Sequence, residues 1–153
     1  MKKINWGVIG LGNIAQKFLG SFSEVHNSKL LAISSNDNLK LEQNKTKFRI
    51  KNEFAFKGYE KLIQCDEVDI VYISLPNSMH FYWINKCIEN KKNFLIEKPA
   101  TLNLNEAEIL KKNLENKNLF FAEGFMYRYD PMIKKVIDLI ENNEIGELLS
   151  MES

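Results

Sequence analysis

The stretch INWGVIGLGNIA, residues 4–15, decides the fold class of this chain. Its apolar beginning predicts a β-strand over residues 4–10. Ile14, Phe18 and Phe22 then recur at four-residue spacing and predict a helix over residues 13–22. The glycines between the two segments indicate a tight turn. The chain therefore begins with a strand that turns directly into a helix.

The same alternation of short apolar runs and longer amphipathic stretches continues along the chain. Strands are predicted at residues 29–34, 52–56, 68–74, 93–97 and 118–124, and helices at 37–48, 59–65, 78–90, 103–116 and 131–142. Parallel neighbours need crossover connections, and strands covered on both faces are apolar throughout. The pattern therefore predicts an α/β fold in which a doubly wound parallel sheet forms the middle of three α/β/α layers.

Composition excludes several functional classes. The chain has 153 residues, 21 Lys and Arg, 20 Asp and Glu, and a formal net charge of +1. This balance gives no basic footprint for nucleic acid, and no apolar run is long enough to cross a membrane. Cys65 and Cys87 lack metal-ligand spacing. We expect no metal site, reduced thiols and a cytoplasmic protein.

The turn GLGNIA, residues 10–15, matches the dinucleotide-binding fingerprint in its required position between a strand and a helix. Gly10 permits the turn and Gly12 lets main-chain amides approach a pyrophosphate, beside Asn13 and Ile14. Ala15 is small enough for close packing of helix and strand. Binding of S-adenosylmethionine and a purely structural turn are the alternatives.

The end of the second strand would select between NAD and NADP. An acidic residue about 20 positions beyond the fingerprint binds the ribose hydroxyl of NAD, whereas an arginine suits the phosphate of NADP. Here the candidates are Ser35, Asn36 and Asp37, with no adjacent arginine. Asp37 has an alternative role as the cap of the next helix. The choice stays open, and we favour NAD.

Two further segments follow predicted strands and should reach the same sheet edge, where ligands bind in open α/β folds. The first, SLPNSMH, contributes the candidate cofactor-binding residues Ser74, Leu75, Pro76, Asn77 and His80. Asn77 has an alternative role as a helix cap, and His80 as a surface residue.

The second segment is EKP, residues 97–99. The amine of Lys98 can hold a substrate oxygen or share its proton, Glu97 can pair with or orient that amine, and a cis Lys98–Pro99 bond is compatible with the turn. A surface ion pair between Glu97 and Lys98 is the alternative.

Together GLGNIA, PNSMH, EKPAT and EGFMYRYDP (residues 123–131) resemble the Gfo/Idh/MocA family of glucose–fructose oxidoreductases and inositol dehydrogenases. The resemblance implies an NAD(P)-dependent enzyme that acts on sugars, inositols or related polyols. It also implies that Lys98 contacts nicotinamide ribose and substrate, and that Arg128 and Tyr127 lie close to the site. The family pairs an N-terminal Rossmann domain with a C-terminal domain built on an antiparallel sheet, and its members are expected to form homo-oligomers.

On this resemblance, residues 1–124 form the dinucleotide-binding domain. Residues 125–153 are expected to form a connecting helix and, over 145–153, the first strand of a truncated substrate domain. A frayed tail is the alternative for that last segment. We expect the second domain to be absent and the chain alone to be inactive. A Rossmann sensor without chemistry and a methyltransferase-like binder are the competing functions.

Overall fold

The structure is a computed structural model that describes residues 3–152. Within that range, six parallel strands form one sheet in the order β3-β2-β1-β4-β5-β6. The strands are β1 (Ile4–Ile9), β2 (Ser28–Ser35), β3 (Ala55–Lys57), β4 (Ile70–Ile73), β5 (Asn93–Ile96) and β6 (Phe121–Glu123). The helices are α1 (Asn13–Ser21), α2 (Asn38–Lys47), α3 (Glu60–Ile63), α4 (Asn77–Glu89), α5 (Leu104–Leu114) and α6 (Pro131–Glu141).

This strand order confirms the predicted doubly wound α/β sheet. β1 pairs with β2 on one side and with β4 on the other, so the strand order reverses between β1 and β4. Crevices at such reversals, outside the carboxyl ends of the strands, are the usual ligand sites of open α/β sheets. The predicted glycine turn follows β1 at this point.

The core is divided between the two faces of the sheet. Neighbouring residues of β1 point to opposite faces, and Val8 and Ile9 belong to different clusters of buried side chains. The Val8 cluster includes Ala15 and Leu19 of α1, and the Ile9 cluster includes Ile84 of α4. The sheet is therefore the middle layer between two sets of helices.

Two predicted strands differ from the structure. Residues 52–54 form a short 3-10 helix, and β3 pairs with β2 only from Ala55 onward. The strand expected over 145–153 is not formed within the described part of that segment, residues 145–152; Ser153 lies outside the described residues. A strand requires a hydrogen-bonded neighbour, and no strand within residues 3–152 pairs with this segment.

Helix α6 carries an apolar stripe that includes Met132, Val136 and Ile137. These side chains belong to neither core cluster. The cap of α6 is Asp130, whose carboxylate accepts a 2.8 Å hydrogen bond from the amide of Met132. None of its residues is buried, and Met132 and Ile137 are 68% and 47% exposed. Its main contacts are with a 3-10 helix at Met126–Tyr129.

Candidate functional site

The glycine turn after β1 is fitted between the ends of β2 and β4. The amide of Gly10 donates to the carbonyl of Ser34 over 3.1 Å. Gly10 has a φ of +86°, and a β-carbon there would lie 2.4 Å from the carbonyl oxygen of Ser74. Only glycine combines this left-handed conformation with so close an approach.

The first turn of α1 offers main-chain donors beside open space. Gly12 precedes the helix and provides no side-chain cap, and a β-carbon built on it meets nothing within 4 Å. The first amides of a helix lack internal partners and attract anions. Asn13 is exposed and Ile14 half-buried, whereas Ala15 is fully buried against the sheet. The first amides of α1 are therefore open to an approaching anion.

At the end of β2, Asp37 caps α2, which was the alternative role considered for it. Its Oδ1 accepts hydrogen bonds from the amides of Leu39 and Lys40, at 2.9 and 3.1 Å. The amide of Asp37 in turn donates to Ser35 Oγ over 3.0 Å. Asn36 and Asp37 are both exposed. Within residues 3–152, the second carboxylate oxygen of Asp37 has no hydrogen-bond partner.

Two buried hydroxyl groups flank β1 at the same edge of the sheet. Ser34 lies in β2 opposite Ile9, and Ser74 directly follows β4. Neither hydroxyl has a hydrogen-bond partner among the described residues. Buried polar groups are normally paired, so these two orphaned hydroxyls leave unsatisfied hydrogen-bonding groups at this edge of the sheet.

Around the loop between β4 and α4, Asn77 and His80 do not take the alternative roles considered for them, a helix cap and a surface residue. Leu75 is buried and Pro76 and Asn77 are exposed. Asn77 is the first residue of α4 and not its cap; that position belongs to Pro76, which provides no capping side chain. His80 is neither a surface residue nor open to a ligand, because its side chain is fully buried.

The buried ring of His80 joins two loops. Its Nδ1 lies 2.8 Å from the carbonyl oxygen of Pro99, and its Nε2 lies 2.8 Å from that of Leu75. Both ring nitrogens are therefore engaged by main-chain oxygens. The direct cofactor contact expected of His80 does not occur in this conformation, because the packing of α4 against the two loops encloses the ring.

Glu97 pairs with a tyrosine and not with its neighbouring lysine. The hydroxyl of Tyr72 donates to Glu97 Oε1, and burial together with this carboxylate raises the pKa of Tyr72. Lys98 is exposed, and no ion pair joins it to a carboxylate in the described part of the chain. The Lys98–Pro99 bond is cis. The ammonium of Lys98 is thus available to a ligand.

Tyr72 and Glu123 belong to this region but were missed as site residues. Glu123 ends β6, and its Oε1 accepts a 2.7 Å hydrogen bond from the amide of Ala100. An acidic residue at the end of a predicted strand was the available signal for Glu123. Tyr72 stands within an apolar run and gave no such signal.

Arg128 lies in the 3-10 helix that follows β6. It is exposed, and it lines a depression beside β6 together with Glu123 and Phe125. A separate cleft of about 330 Å³ lies between α1 and residues 124–129, and its walls include Ile14, Phe18, Tyr72, Glu97 and Phe125. Arg128 is not part of that cleft.

In residues 3–152, no group of three or more His, Cys, Asp and Glu side chains is arranged to hold a metal ion. Over the same range, no helix is both long and apolar enough to cross a membrane.

The model of the family described as "Oxidoreductase family, NAD-binding Rossmann fold" (GFO_IDH_MocA) matches residues 4–125. The chain belongs to this family. The match spans all six strands and every predicted motif from the glycine turn to EKP, so the resemblance drawn from the motifs is confirmed. Membership makes the chain a Rossmann-fold member of an NAD(P)-binding oxidoreductase family.

Curated members of the GFO_IDH_MocA family are similar over nearly the whole chain. The dTDP-3,4-didehydro-2,6-dideoxy-alpha-D-glucose 3-reductase of Saccharopolyspora spinosa is 32% identical over 148 residues, covering 96% of this chain and 44% of that protein. The glucose-6-phosphate 3-dehydrogenase of Bacillus subtilis is 32% identical over 152 residues, covering 99% and 41%. The chain thus spans less than half the length of these relatives.

Solved structures of the family have the same fold. A scyllo-inositol dehydrogenase from Lactobacillus casei, with bound NAD(H) and scyllo-inositol, superposes with a TM-score of 0.89 at 25% identity, covering 95% of this chain and 43% of that one. A 3-ketoreductase from Actinomadura kijaniata, in complex with NADP and TDP-benzene, gives a TM-score of 0.85 at 30% identity, covering 95% and 44%.

Proposed function

We propose that this chain is the dinucleotide-binding part of an oxidoreductase that moves hydride to or from an alcohol or carbonyl group. The observation that carries the proposal is the position of Lys98. Its exposed amine has no ion-pair partner within residues 3–152 and follows β5 at the sheet edge where the open amides of α1 also lie.

The residues at this edge are suited to successive parts of NAD(P). The turn Gly10–Ile14 would hold the diphosphate through the main-chain amides that follow Gly10, whose own amide is bonded to Ser34, and Ser35, Asn36 and Asp37 would hold the adenosine ribose. The nicotinamide half would lie near Ser74, Leu75, Pro76, Asn77 and Glu97. The orphaned hydroxyl of Ser74 and the open space at Gly12 support this assignment.

Lys98 would be the catalytic residue of this site. The bound nicotinamide ring would supply or take the hydride, which is the part of the chemistry that belongs to the cofactor. The ammonium of Lys98 would donate a hydrogen bond to the oxygen on the reacting carbon. It would give that oxygen a proton during reduction and take one during oxidation.

NAD is the cofactor we favour, because the chain offers a carboxylate and no arginine at the end of β2. The phosphate of NADP would approach Asp37, whose negative charge would repel it. The second oxygen of Asp37 is available to a ribose hydroxyl while the first caps α2.

The proposed substrate class is supported by the relatives, whose names specify a deoxy sugar nucleotide, a sugar phosphate and an inositol. We propose a sugar, inositol or related polyol for this chain as well. We further propose that residues 1–124 are its cofactor domain and that residues 125–153 begin a substrate domain, where Arg128 would act on substrate or cofactor. A chain without that domain would bind dinucleotide weakly and show no useful turnover, because water would reach the reacting groups.

The two cysteines support the proposal of a cytoplasmic protein. Cys65 and Cys87 are both free thiols in the described structure, which is consistent with the reducing cytoplasm. The unpartnered apolar stripe of α6 favours self-association, in line with a homo-oligomeric protein.

A fluorescence titration of the chain with NADH, NADPH and S-adenosylmethionine tests the proposed binding function. We expect saturable binding of a nicotinamide dinucleotide and none of S-adenosylmethionine, which is the ligand of the methyltransferase-like alternative. An absence of nicotinamide binding at millimolar ligand would overturn the proposal. A screen of polyols and sugar nucleotides with the longest product that the gene encodes then separates an enzyme from a non-catalytic NAD(P) sensor.

A further inference from the structure

The loop that carries Lys98 is attached to the rest of the protein at three points, each by a side chain from a different element. Tyr72 of β4 donates to the Glu97 carboxylate. His80 of α4 contacts the Pro99 carbonyl at 2.8 Å, and Glu123 of β6 accepts from the Ala100 amide at 2.7 Å. The residues on both sides of Lys98 are therefore held while its own amine stays exposed.

His80 differs from the other two attachments because it joins this loop to a second candidate ligand loop. Its other nitrogen lies 2.8 Å from the carbonyl of Leu75, directly before Pro76 and Asn77. Carbonyl oxygens only accept hydrogen bonds and a neutral imidazole carries one N–H, so the ring donates to one of the two carbonyls in either tautomer and packs closely against the other. It has no exposed surface with which to touch a ligand.

We propose that His80 is a positioning residue that fixes the Lys98 segment relative to the Pro76–Asn77 turn. A catalytic amine must be held to a fraction of an ångström, and the polypeptide on either side of Lys98 has no regular secondary structure to hold it. One rigid ring between two carbonyls fixes the separation of the two loops. The consequence for turnover rests on the proposed function; the structural consequence does not.

Lys92 provides a matched control at the opposite end of the strands, where their amino ends lie. It precedes β5, is 9% exposed, and its Nζ donates to the carbonyls of Cys65 and Val68 at 2.7 and 2.9 Å. Lys92→Met thus removes a buried bridge between two carbonyls as His80→Leu does, but far from the loops that follow β4 and β5. Both variants should lose stability, and only one should affect Lys98.

Hydrogen exchange of the 153-residue chain tests the structural part without any ligand. In His80→Leu we expect exchange about tenfold faster at residues 97–101 and 75–77, the size expected for loss of one hydrogen bond, with β1 and β2 unchanged relative to Lys92→Met. Exchange at residues 97–101 that matches the Lys92→Met variant would overturn the proposal, whether or not a dinucleotide binds.

Turnover of the longest gene product tests the link to Lys98. We expect His80→Leu to lower kcat by about 10- to 100-fold while the Kd for the dinucleotide changes little, since misplacement of a catalytic group by about 1 Å costs about that much. In a Lys98→Met background the same change should have no further effect. Effects of the two substitutions that multiply independently would contradict action through Lys98. Failure of the proposed function would show itself separately, as an absence of dinucleotide binding in the unmodified protein.

Discussion

The main-chain oxygen of Ser74 lies 2.4 Å from the place where Gly10 would carry a β-carbon. The end of β4 and the turn after β1 are therefore in contact through main chain alone. Gly12, only two residues further, faces open space. The two glycines of one motif thus serve different purposes, one for packing and one for access.

Substitution of each glycine by alanine should separate these purposes. Gly10→Ala should lower the free energy of unfolding by about 2 kcal/mol or more, through a positive φ and a clash with main chain. Gly12→Ala should change stability by less than about 0.5 kcal/mol but weaken dinucleotide binding by about tenfold or more, because its methyl group fills the space at the helix amides.

Gly20 is the control for these two variants. It lies in α1, and a β-carbon on it also meets nothing within 4 Å. Gly20→Ala should leave binding unchanged and stabilise the chain by about 0.5–1 kcal/mol, as alanine does in a helix. Thermal unfolding and NADH titration measure the three variants. Equal binding by Gly12→Ala and the unmodified chain would contradict the assigned diphosphate site.

Lys98→Met should reduce turnover far more than cofactor affinity. Loss of a general acid or base costs about 100- to 10,000-fold in rate, whereas we expect the Kd for the dinucleotide to stay within about threefold. Lys29 is an exposed lysine at the start of β2, at the opposite end of the strands from Lys98. Lys29→Met therefore serves as the control. Steady-state kinetics of the longest gene product give both quantities, and an unchanged kcat would refute the role of Lys98.

Asp37 combines a helix cap with a proposed part in cofactor choice, and two substitutions distinguish them. Asp37→Ala should cost about 1 kcal/mol of stability through loss of the cap, whereas Asp37→Ser keeps a capping oxygen and should cost little. Both remove the negative charge, so both should improve the affinity for NADPH relative to NADH. Paired titrations with the two dinucleotides measure the ratio. A ratio that stays constant would remove Asp37 from the ribose site.

Cys87 should make the chain less stable in alkaline solution. Burial raises the pKa of this thiol from 9.0 to about 12. Above pH 9 the unfolded thiol loses its proton while the folded one keeps it, so stability falls as pH rises toward 12, by at most about 1.4 kcal/mol per pH unit.

Cys87→Ala should remove this part of the pH dependence and leave only a constant loss from the smaller side chain. Urea unfolding of both proteins between pH 8 and 10.5 provides the comparison. The difference in stability between them should shrink as pH rises, and a difference that does not depend on pH would contradict the effect assigned to the buried thiol.

The exposed apolar stripe of α6 should cause self-association. Val136 and Ile137 lie on α6 with 37% and 47% of their surface exposed. We expect sedimentation velocity to show concentration-dependent association of the unmodified chain and a monomer for Val136→Lys combined with Ile137→Glu. Ile109→Lys, an equally exposed position on α5, should not change the association. An unmodified chain that stays monomeric at high concentration would exclude the apolar stripe of α6 as an interface.

Local sequence was sufficient for the elements and for the glycine turn. The strand, turn and helix of residues 4–15 are specified by residues close together in the chain, and the structure forms them with only small shifts in their ends. The alternation of strands and helices likewise predicted the parallel sheet. Residues 145–153 were predicted to be a strand from their sequence and the family resemblance, but the described part of that segment forms none, because strand pairing depends on a neighbour that local sequence does not specify.

The surroundings of Lys98 were decided by tertiary structure. Sequence determined that a lysine follows an apolar strand, and that this strand ends at the ligand edge of the sheet. The three side chains that hold its loop lie 25, 19 and 23 residues away from their partners and meet them only because β4, α4 and β6 pack around β5. Hydrogen bonds over such separations have no periodic signal, which is why His80 was expected at a ligand and lies in the core.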